Sequence, residues 1–213
     1  MTDSRSSFSP RILALAGAAV VLVVAMALDT KVVRVGSQTD AADGAFSAAT
    51  YGKTHFPKIR DAVVAKAVDA ATLAEAIAKD PDAAQKQYAV MSDSGPEYSV
   101  RFTGVAGARD EDSGAVPVKV ENAPADLHIA VQTGPAITGT DLRDGTPLVT
   151  FGQFSNQIDY QNAGAGLNAA MKDAVLSKID AKALAGKTVS VVGVFQPADN
   201  SEWVVTPVQM DVK

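Results

Sequence analysis

The segment 132–157, QTGPAITGTDLRDGTPLVTFGQFSNQ, holds the side chains of this protein that are best suited to bind a small molecule. An arginine fork can grip a carboxylate, a phosphate or a sugar hydroxyl, an aromatic ring can stack on a sugar, and amides can bond to hydroxyls. The candidate ligand-binding residues are Arg143, Asp144, Phe154, Asn156 and Gln157. We therefore expect any ligand site to lie in this segment.

The same residues also have a purely structural interpretation. Asp141 and Asp144 flank Arg143, and an arginine between two carboxylates usually forms a local ion pair, which contributes little to stability when it is exposed. The two phenylalanines of the segment would serve equally well in a core, and the amides that follow them would serve at the start of a helix. Both interpretations stay open on the sequence alone.

The chain lacks the residue sets on which most catalysis depends. The absence of cysteine excludes thiolate nucleophiles and cysteine-based metal sites. The two histidines, His55 and His128, lie far apart in the sequence with no histidine in ligand spacing, and no serine lies in a GxSxG elbow. Gly164 and Gly166 are expected to precede a helix but do not form a phosphate-binding loop. We predict no catalytic activity, no metal and no cofactor.

Charge argues against a nucleic-acid partner. The formal net charge is −5, whereas binding to nucleic acid depends on neutralising phosphates with lysine and arginine. The length of 213 residues and the 47% hydrophobic content are those of a globular domain of ordinary size with attachments.

A membrane segment is predicted near the N-terminus. Residues 12–28, ILALAGAAVVLVVAMAL, form an uninterrupted apolar run of 17 residues, about 26 Å long as a helix and at the lower limit for spanning a bilayer. A short cytoplasmic tail, residues 1–11, would precede it. We expect a single-pass protein of the bacterial inner membrane with its domain in the periplasm. A cleaved signal peptide remains an alternative, since Ala25, Met26 and Ala27 form a small-x-small pattern.

The remaining chain predicts an α+β domain. Residues 29–45 are a linker, and 46–91 are helical in character, with Pro57 expected to break or kink the first helix. Alternating apolar residues then predict strands in 97–213, together with an extended run at 146–154 and one helix before the last two strands. This order matches a small OB-like antiparallel β-barrel, although a one-sided α+β sheet would give the same pattern.

The motifs TGPAITGTDLRDGTPLVTFGQFSNQ, LAGKTVSVVGVF and WVVTPVQMDV resemble a family of predicted periplasmic lipoproteins of unknown function, often encoded beside sugar ABC transporters. The likeness extends from about Asp29 to Val212. It implies an exported, membrane-attached domain and a link to carbohydrate uptake. This chain departs from the lipoprotein pattern because ALDT stands where a lipid-modified cysteine is expected, so the apolar helix itself would provide attachment.

Two functions follow from these observations, and a glycan-processing enzyme that would depend on Asp141, Arg143 or Asp144 is a third, less favoured possibility. The first is a membrane-anchored periplasmic accessory or small-ligand-binding protein that works with components of a sugar ABC transporter. The second is a structural module of the cell envelope that docks proteins and has no small ligand.

Overall fold

The structure is a computed structural model that describes residues 46–199 and 201–213. The predicted tail 1–11, membrane segment 12–28 and linker 29–45 lie outside the described residues. Within the described ranges, no helix is both long and apolar enough to cross a membrane. The described chain from Phe46 onward forms one compact unit.

The region predicted as helical contains three helices and two short strands. Helix α1 spans Ala48–Lys66, α2 spans Ala70–Lys79 and α3 spans Pro81–Tyr88; strand β1 is Val68–Asp69 and β2 is Ala89–Ser92. Each helix is preceded by an N-cap residue whose side chain accepts a hydrogen bond from a backbone N–H of the first turn. These residues are Ser47 for α1, Asp69 for α2 and Asp80 for α3.

Helix α1 is not broken at Pro57, because it continues through this residue to Lys66. Pro57 lies on the exposed side of the helix, whereas Phe56, Ile59 and Val63 are buried on the opposite side. Burial of this apolar face offsets the hydrogen bond that proline cannot donate.

Five strands form the barrel: β3 Gly95–Ala106, β4 Ala115–Val120, β5 His128–Gln132, β6 Thr188–Phe195 and β7 Glu202–Val212. Their order is β3-β4-β5-β7-β6, and β6 pairs with β3 to close the sheet. All neighbours are antiparallel except β5 and β7, which run parallel. The closed barrel confirms the OB-like prediction and rules out the one-sided sheet. Closure leaves these five strands without a free edge.

The chain between β5 and β6 forms helices and loops. It contains the short helix α4, Asp141–Asp144, a 3-10 turn at Phe151–Gln153, and α5, Gln157–Ala174, which confirms the helix expected before the last two strands. The prediction of an extended run at 146–154 is wrong. The side chain of Gln153 instead accepts from the backbone N–H of Thr150 at 3.0 Å, and the backbone N–H of Gln153 donates to the carbonyl of Thr150 at 3.1 Å, which closes a turn in place of a strand.

Two packing arrangements hold the helices and the barrel together. Inside the barrel, the ring of Phe195 stacks on Trp203 at 4.4 Å and on Tyr98 at 5.7 Å between centroids. Outside the barrel, α1 packs on α5 where Gly52 of α1 meets Gly166 of α5. A Cβ on Gly166 would overlap the carbonyl of Ala48. Gly164 and Gly166 both lie inside α5, so the expectation that they precede the helix is wrong. Gly166 lies at the crossing with α1.

Candidate functional site

Arg143 and Asp144 form a buried ion pair at the C-terminal end of α4. The Nε atom of Arg143 donates to Oδ1 of Asp144 at 2.7 Å, and a terminal nitrogen donates to Oδ2 at 2.8 Å. The two residues are only 9% and 7% exposed. The local ion pair expected from the sequence is therefore present, but it is buried and bidentate, a geometry stronger than that of an exposed pair.

The pair is enclosed by α5 and by the loop that precedes α4. The guanidinium carbon of Arg143 lies 3.9 Å from the centre of the Tyr160 ring, so cation and aromatic face are in contact. Tyr160 donates its phenol hydrogen to Asp144 at 3.2 Å, and Thr140 donates to the same carboxylate at 2.6 Å. Burial, followed by the charge of Asp144, raises the pKa of Tyr160. These contacts fix α5 against α4.

A second polar chain links α4 to the barrel wall. Gln132 on β5 donates to the hydroxyl of Thr206 on β7 at 3.0 Å, and this hydroxyl donates to Asp141 at 2.6 Å. Burial raises the pKa of Asp141, and its hydrogen bond from Thr206 opposes this effect. The segment between β5 and α5 is thus bound to two strands through side chains.

Glu97 is the least expected member of this polar region. It lies at the start of β3, is 1% exposed, and its Oε2 atom has no hydrogen-bond partner. Burial raises the pKa of its carboxyl to about 8, and the negative charges of Asp141 and Asp144 act in the same direction, whereas Arg143 opposes them. The carboxyl of Glu97 is therefore mostly protonated at neutral pH.

The other predicted ligand residues do not converge with Arg143 on an open cleft. Phe154 is partly buried, and its ring contacts those of Tyr160 and Tyr51, at 5.4 Å each, and Phe46, at 5.5 Å. Asn156 is the N-cap of α5 and accepts from the backbone N–H of Asp159 at 2.9 Å. Of the five residues predicted to bind a ligand, Arg143 and Asp144 are paired with each other, and Phe154 and Asn156 also make contacts within the protein.

Gln157 is the first residue of α5, and its side chain is exposed. Asn156 is exposed as well, but its side chain caps the helix. The structural alternative is met in part: Asn156 and Gln157 start α5 and Phe154 packs against the core, whereas Phe151 is 49% exposed and is not a core residue.

Sequence reasoning missed Glu97, Tyr160 and Thr206 as partners of the Arg143 region. In an alternating strand, the apolar residues Tyr98 and Val100 face inward, which places Glu97 on the opposite side and predicts exposure. The structure buries residues 97–100 on both faces of β3, and the charges of Asp141, Arg143 and Asp144 on α4 lie close enough to act on Glu97. The signal in the sequence for a buried carboxyl is an acidic residue directly after Pro96. Acidic residues are also common at the exposed starts of strands, so this signal is weak.

Arg143→Lys is predicted to lower the free energy of unfolding by about 1–2 kcal/mol, because lysine keeps the charge but loses the bidentate fork and the planar contact with Tyr160. Denaturant unfolding followed by Trp203 fluorescence measures this. Arg60→Lys is the matched control, since Arg60 pairs with the adjacent Asp61 at an exposed position and should lose almost nothing. Equal stability of the two variants would contradict the stabilising role of the buried pair.

A separate groove crosses the outer face of the barrel on β4, β5 and β7. Its volume is about 540 Å³. Its floor includes an apolar row, in which Ala130 pairs with Pro117 on one side and with Val204 on the other. His128 and Glu202 are Cα partners in the adjacent row, and both are exposed. Lys119 also lines the groove.

No group of three or more histidine and acidic residues placed to hold a metal ion is found in ranges 46–199 and 201–213. In the acidic turn between β3 and β4, Asp110 accepts from the backbone and the hydroxyl of Ser113, both at 2.7 Å. These hydrogen bonds lower the pKa of Asp110 and close the turn.

The barrel, with its helix between the third and fourth barrel strands, defines an OB-fold protein. A solved OB-fold protein from Thermotoga maritima is similar to this chain, with a TM-score of 0.63, 19% sequence identity, and coverage of 79% of this chain and 99% of that chain. At this level of identity the likeness shows the fold alone. No curated protein matches the chain.

Residues 18–211 match the family described as predicted periplasmic lipoprotein (DUF2291). The chain belongs to this family, whose function is unknown. The match covers nearly the whole chain and confirms the resemblance carried by the segments around residues 133–157 and 184–195 and by the final strand. The family assigns the folded domain to the periplasm.

Proposed function

We propose that this protein is a membrane-attached periplasmic accessory protein that binds a neutral sugar or short oligosaccharide on the outer face of β4, β5 and β7. It has no catalytic activity of its own and works beside the components of a sugar ABC transporter. The observation that carries the proposal is the groove on the second and third strands of the barrel, where OB folds bind oligonucleotides and oligosaccharides.

The net charge of the chain distinguishes between an oligonucleotide and an oligosaccharide as the ligand. A chain with a net charge of −5 is poorly suited to neutralise phosphates, which disfavours an oligonucleotide and leaves a neutral carbohydrate as the better ligand. The groove has the mixed character that a sugar needs. Pro117, Ala130 and Val204 offer an apolar strip for ring C–H groups, and His128 and Glu202 offer polar groups for hydroxyls.

We place the ligand on the barrel face because the side chain of Arg143 is already occupied by contacts within the protein. Its fork is occupied by Asp144 and its flat face by Tyr160. A ligand at Arg143 would have to break a buried ion pair, and this would leave Asp144 buried without its partner. Gln157 is exposed but does not line the groove.

A panel of neutral sugars tests the proposal, with maltotriose, xylobiose and their monosaccharides as the first probes. A sugar that binds the native state should raise the melting temperature, with stabilisation of about 2.7 kcal/mol at a hundredfold excess over Kd. His128→Ala and Glu202→Gln should weaken binding about tenfold each in calorimetric titrations, by loss of one hydrogen bond. His55→Ala, a histidine outside the groove, should bind normally. Binding that survives both groove substitutions would refute this placement of the site.

Attachment and partnership are tested in cells. The proposal predicts that the full chain co-purifies with a sugar transporter permease or its solute-binding protein, and that a reporter fused to the C-terminus is active in the periplasm. A cytoplasmic reporter signal would refute the localisation.

The alternative function is an envelope module that docks a protein. One observation favours it: Val204 is 45% exposed in the middle of the groove, which also suits contact with a protein surface. If no sugar shifts the melting temperature and a defined protein partner is lost in Val204→Asp, the docking function replaces sugar binding.

A further inference from the structure

Exposed apolar side chains are concentrated between α4 and the first turn of α5. Leu148 is 45% exposed, Phe151 49% and Ile158 69%, all within eleven residues of sequence. We call these three residues the apolar tip. The other large apolar side chains exposed in the described part of the chain lie singly along it, at Met91, Val105, Val204 and Val212. A single exposed apolar residue is ordinary, whereas a concentration of them marks an interaction site.

The tip is held in a fixed shape by hydrogen bonds. Gln153 donates to the carbonyl of Leu148 at 3.2 Å and accepts from the backbone of Thr150 at 3.0 Å. The ring of Phe151 rests edge-on against Tyr160 at 5.6 Å, and Tyr160 is fixed by the Arg143 region. The apolar side chains are therefore presented to solvent by a braced loop.

The chain enters the domain beside this tip. Phe46, the first described residue, contacts Phe154 at 5.5 Å between ring centroids, and Phe154 lies in the loop between Phe151 and Ile158. The predicted membrane segment ends at residue 28, and the 17 residues from 29 to 45 span at most about 60 Å when fully extended. A tether of this length keeps the tip at high local concentration near the bilayer.

The charges around the tip are mixed, although the whole chain is acidic. Lys58 and His55 line a groove together with Leu148. The carboxylate of Asp144 is paired with Arg143, whereas Asp159, next to Ile158, accepts a hydrogen bond from the neutral amide of Asn156 at 2.9 Å and keeps its negative charge. Apolar side chains bordered by lysine suit the boundary between lipid headgroups and acyl chains.

We propose that Leu148, Phe151 and Ile158 insert into the interface of the phospholipid bilayer to which the N-terminal segment attaches the chain. The inference rests on the membrane attachment in the proposed function and is independent of sugar binding. Insertion fixes the orientation of the barrel over the membrane.

The absence of cysteine allows a clean test by single-site labelling of the full chain. Phe151→Cys and Ile158→Cys, each carrying an environment-sensitive fluorophore, are reconstituted in vesicles of phosphatidylethanolamine and phosphatidylglycerol, with brominated lipids as quenchers. Val204→Cys is the matched control, because Val204 is as exposed as Leu148 but lies on the barrel. We expect about twofold stronger quenching at 151 and 158 than at 204.

A second variant separates insertion from local proximity. With the label at Ser155→Cys, the double substitution Leu148→Ser and Ile158→Ser should reduce quenching to the level at 204 while the unfolding midpoint stays unchanged. Equal quenching at 151 and 204 in vesicles that carry the protein would overturn the proposal. A label at 151 that reports an apolar environment but is not quenched by the brominated lipids would also overturn it, because the label would then be covered by protein. If the full chain does not float with the vesicles, the attachment itself is refuted.

Discussion

Gly166→Ala should lower the free energy of unfolding by about 3 kcal/mol, although alanine is the better helix former. Gly166 lies in the middle of α5, where an added Cβ would overlap the backbone carbonyl of Ala48 at the start of α1. A backbone atom cannot rotate away as a side chain can, so the two helices must separate. The separation exposes the apolar contacts on both sides of the crossing, including those of Leu167 and Phe56.

Gly164→Ala in the same helix is the matched control. Its Cβ would meet the methyl group of Thr140 at 3.7 Å and carbons of Arg143 at 3.9 Å, which are ordinary contact distances. This variant should therefore gain about 0.5–1 kcal/mol from helix propensity. Denaturant unfolding followed by Trp203, the only tryptophan of the chain and fully buried, measures both variants. A stable Gly166→Ala protein would show that α1 and α5 do not pack at this crossing.

The barrel could be predicted from sequence because its strands carry a local signal. Each barrel strand faces a core on one side, so Val116 and Val118 alternate with exposed Pro117 and Lys119, and this alternation is visible without any knowledge of partners. The position of a single long helix before the last two strands then restricts the topology to few choices.

The polar region around Arg143 could be predicted only in part. Its local member, Asp144, is adjacent in sequence, whereas Glu97, Tyr160 and Thr206 come from three other elements that only the closed barrel brings together. The loop at 146–154 was misread because Val149 and Phe151 alternate as they would in a strand, while the bonds between Thr150 and Gln153 favour a turn. Side-chain bonds of this kind compete with sheet pairing and have no periodicity.

The groove on β4, β5 and β7 was not predicted for a related reason. His128 and Glu202 are 74 residues apart in sequence and become neighbours through the parallel pairing of β5 and β7. Parallel pairing leaves no local pattern that identifies the partner strand, so a site built across it can be found only once the register is known.

Glu97→Gln should raise the free energy of unfolding at neutral pH and remove much of its pH dependence. The ordinary pKa of this carboxyl is 4.5, and in the folded protein burial raises it to about 8. Between these values the unfolded chain has released a proton that the folded protein still holds, so the wild-type free energy of unfolding should fall as the pH rises. The stabilisation that comes from the protonated carboxyl of Glu97 is fully present below 4.5, its pKa in the unfolded chain. It is lost as the pH rises through about 8, its pKa in the folded protein.

Glutamine has the shape of the protonated acid and carries no ionisable group, so the gain in Glu97→Gln should be small near pH 4.5 and on the order of 3 kcal/mol at pH 7. Denaturant unfolding of both proteins across this range measures the difference. Glu111→Gln, in the exposed turn between β3 and β4, is the control and should leave the profile unchanged. Asp141, whose pKa burial also raises, should leave a weaker slope of the same sign in Glu97→Gln. Parallel profiles for wild type and Glu97→Gln would show that Glu97 is ionised in the folded protein, and that Arg143 outweighs the two aspartates and the burial that oppose its charge.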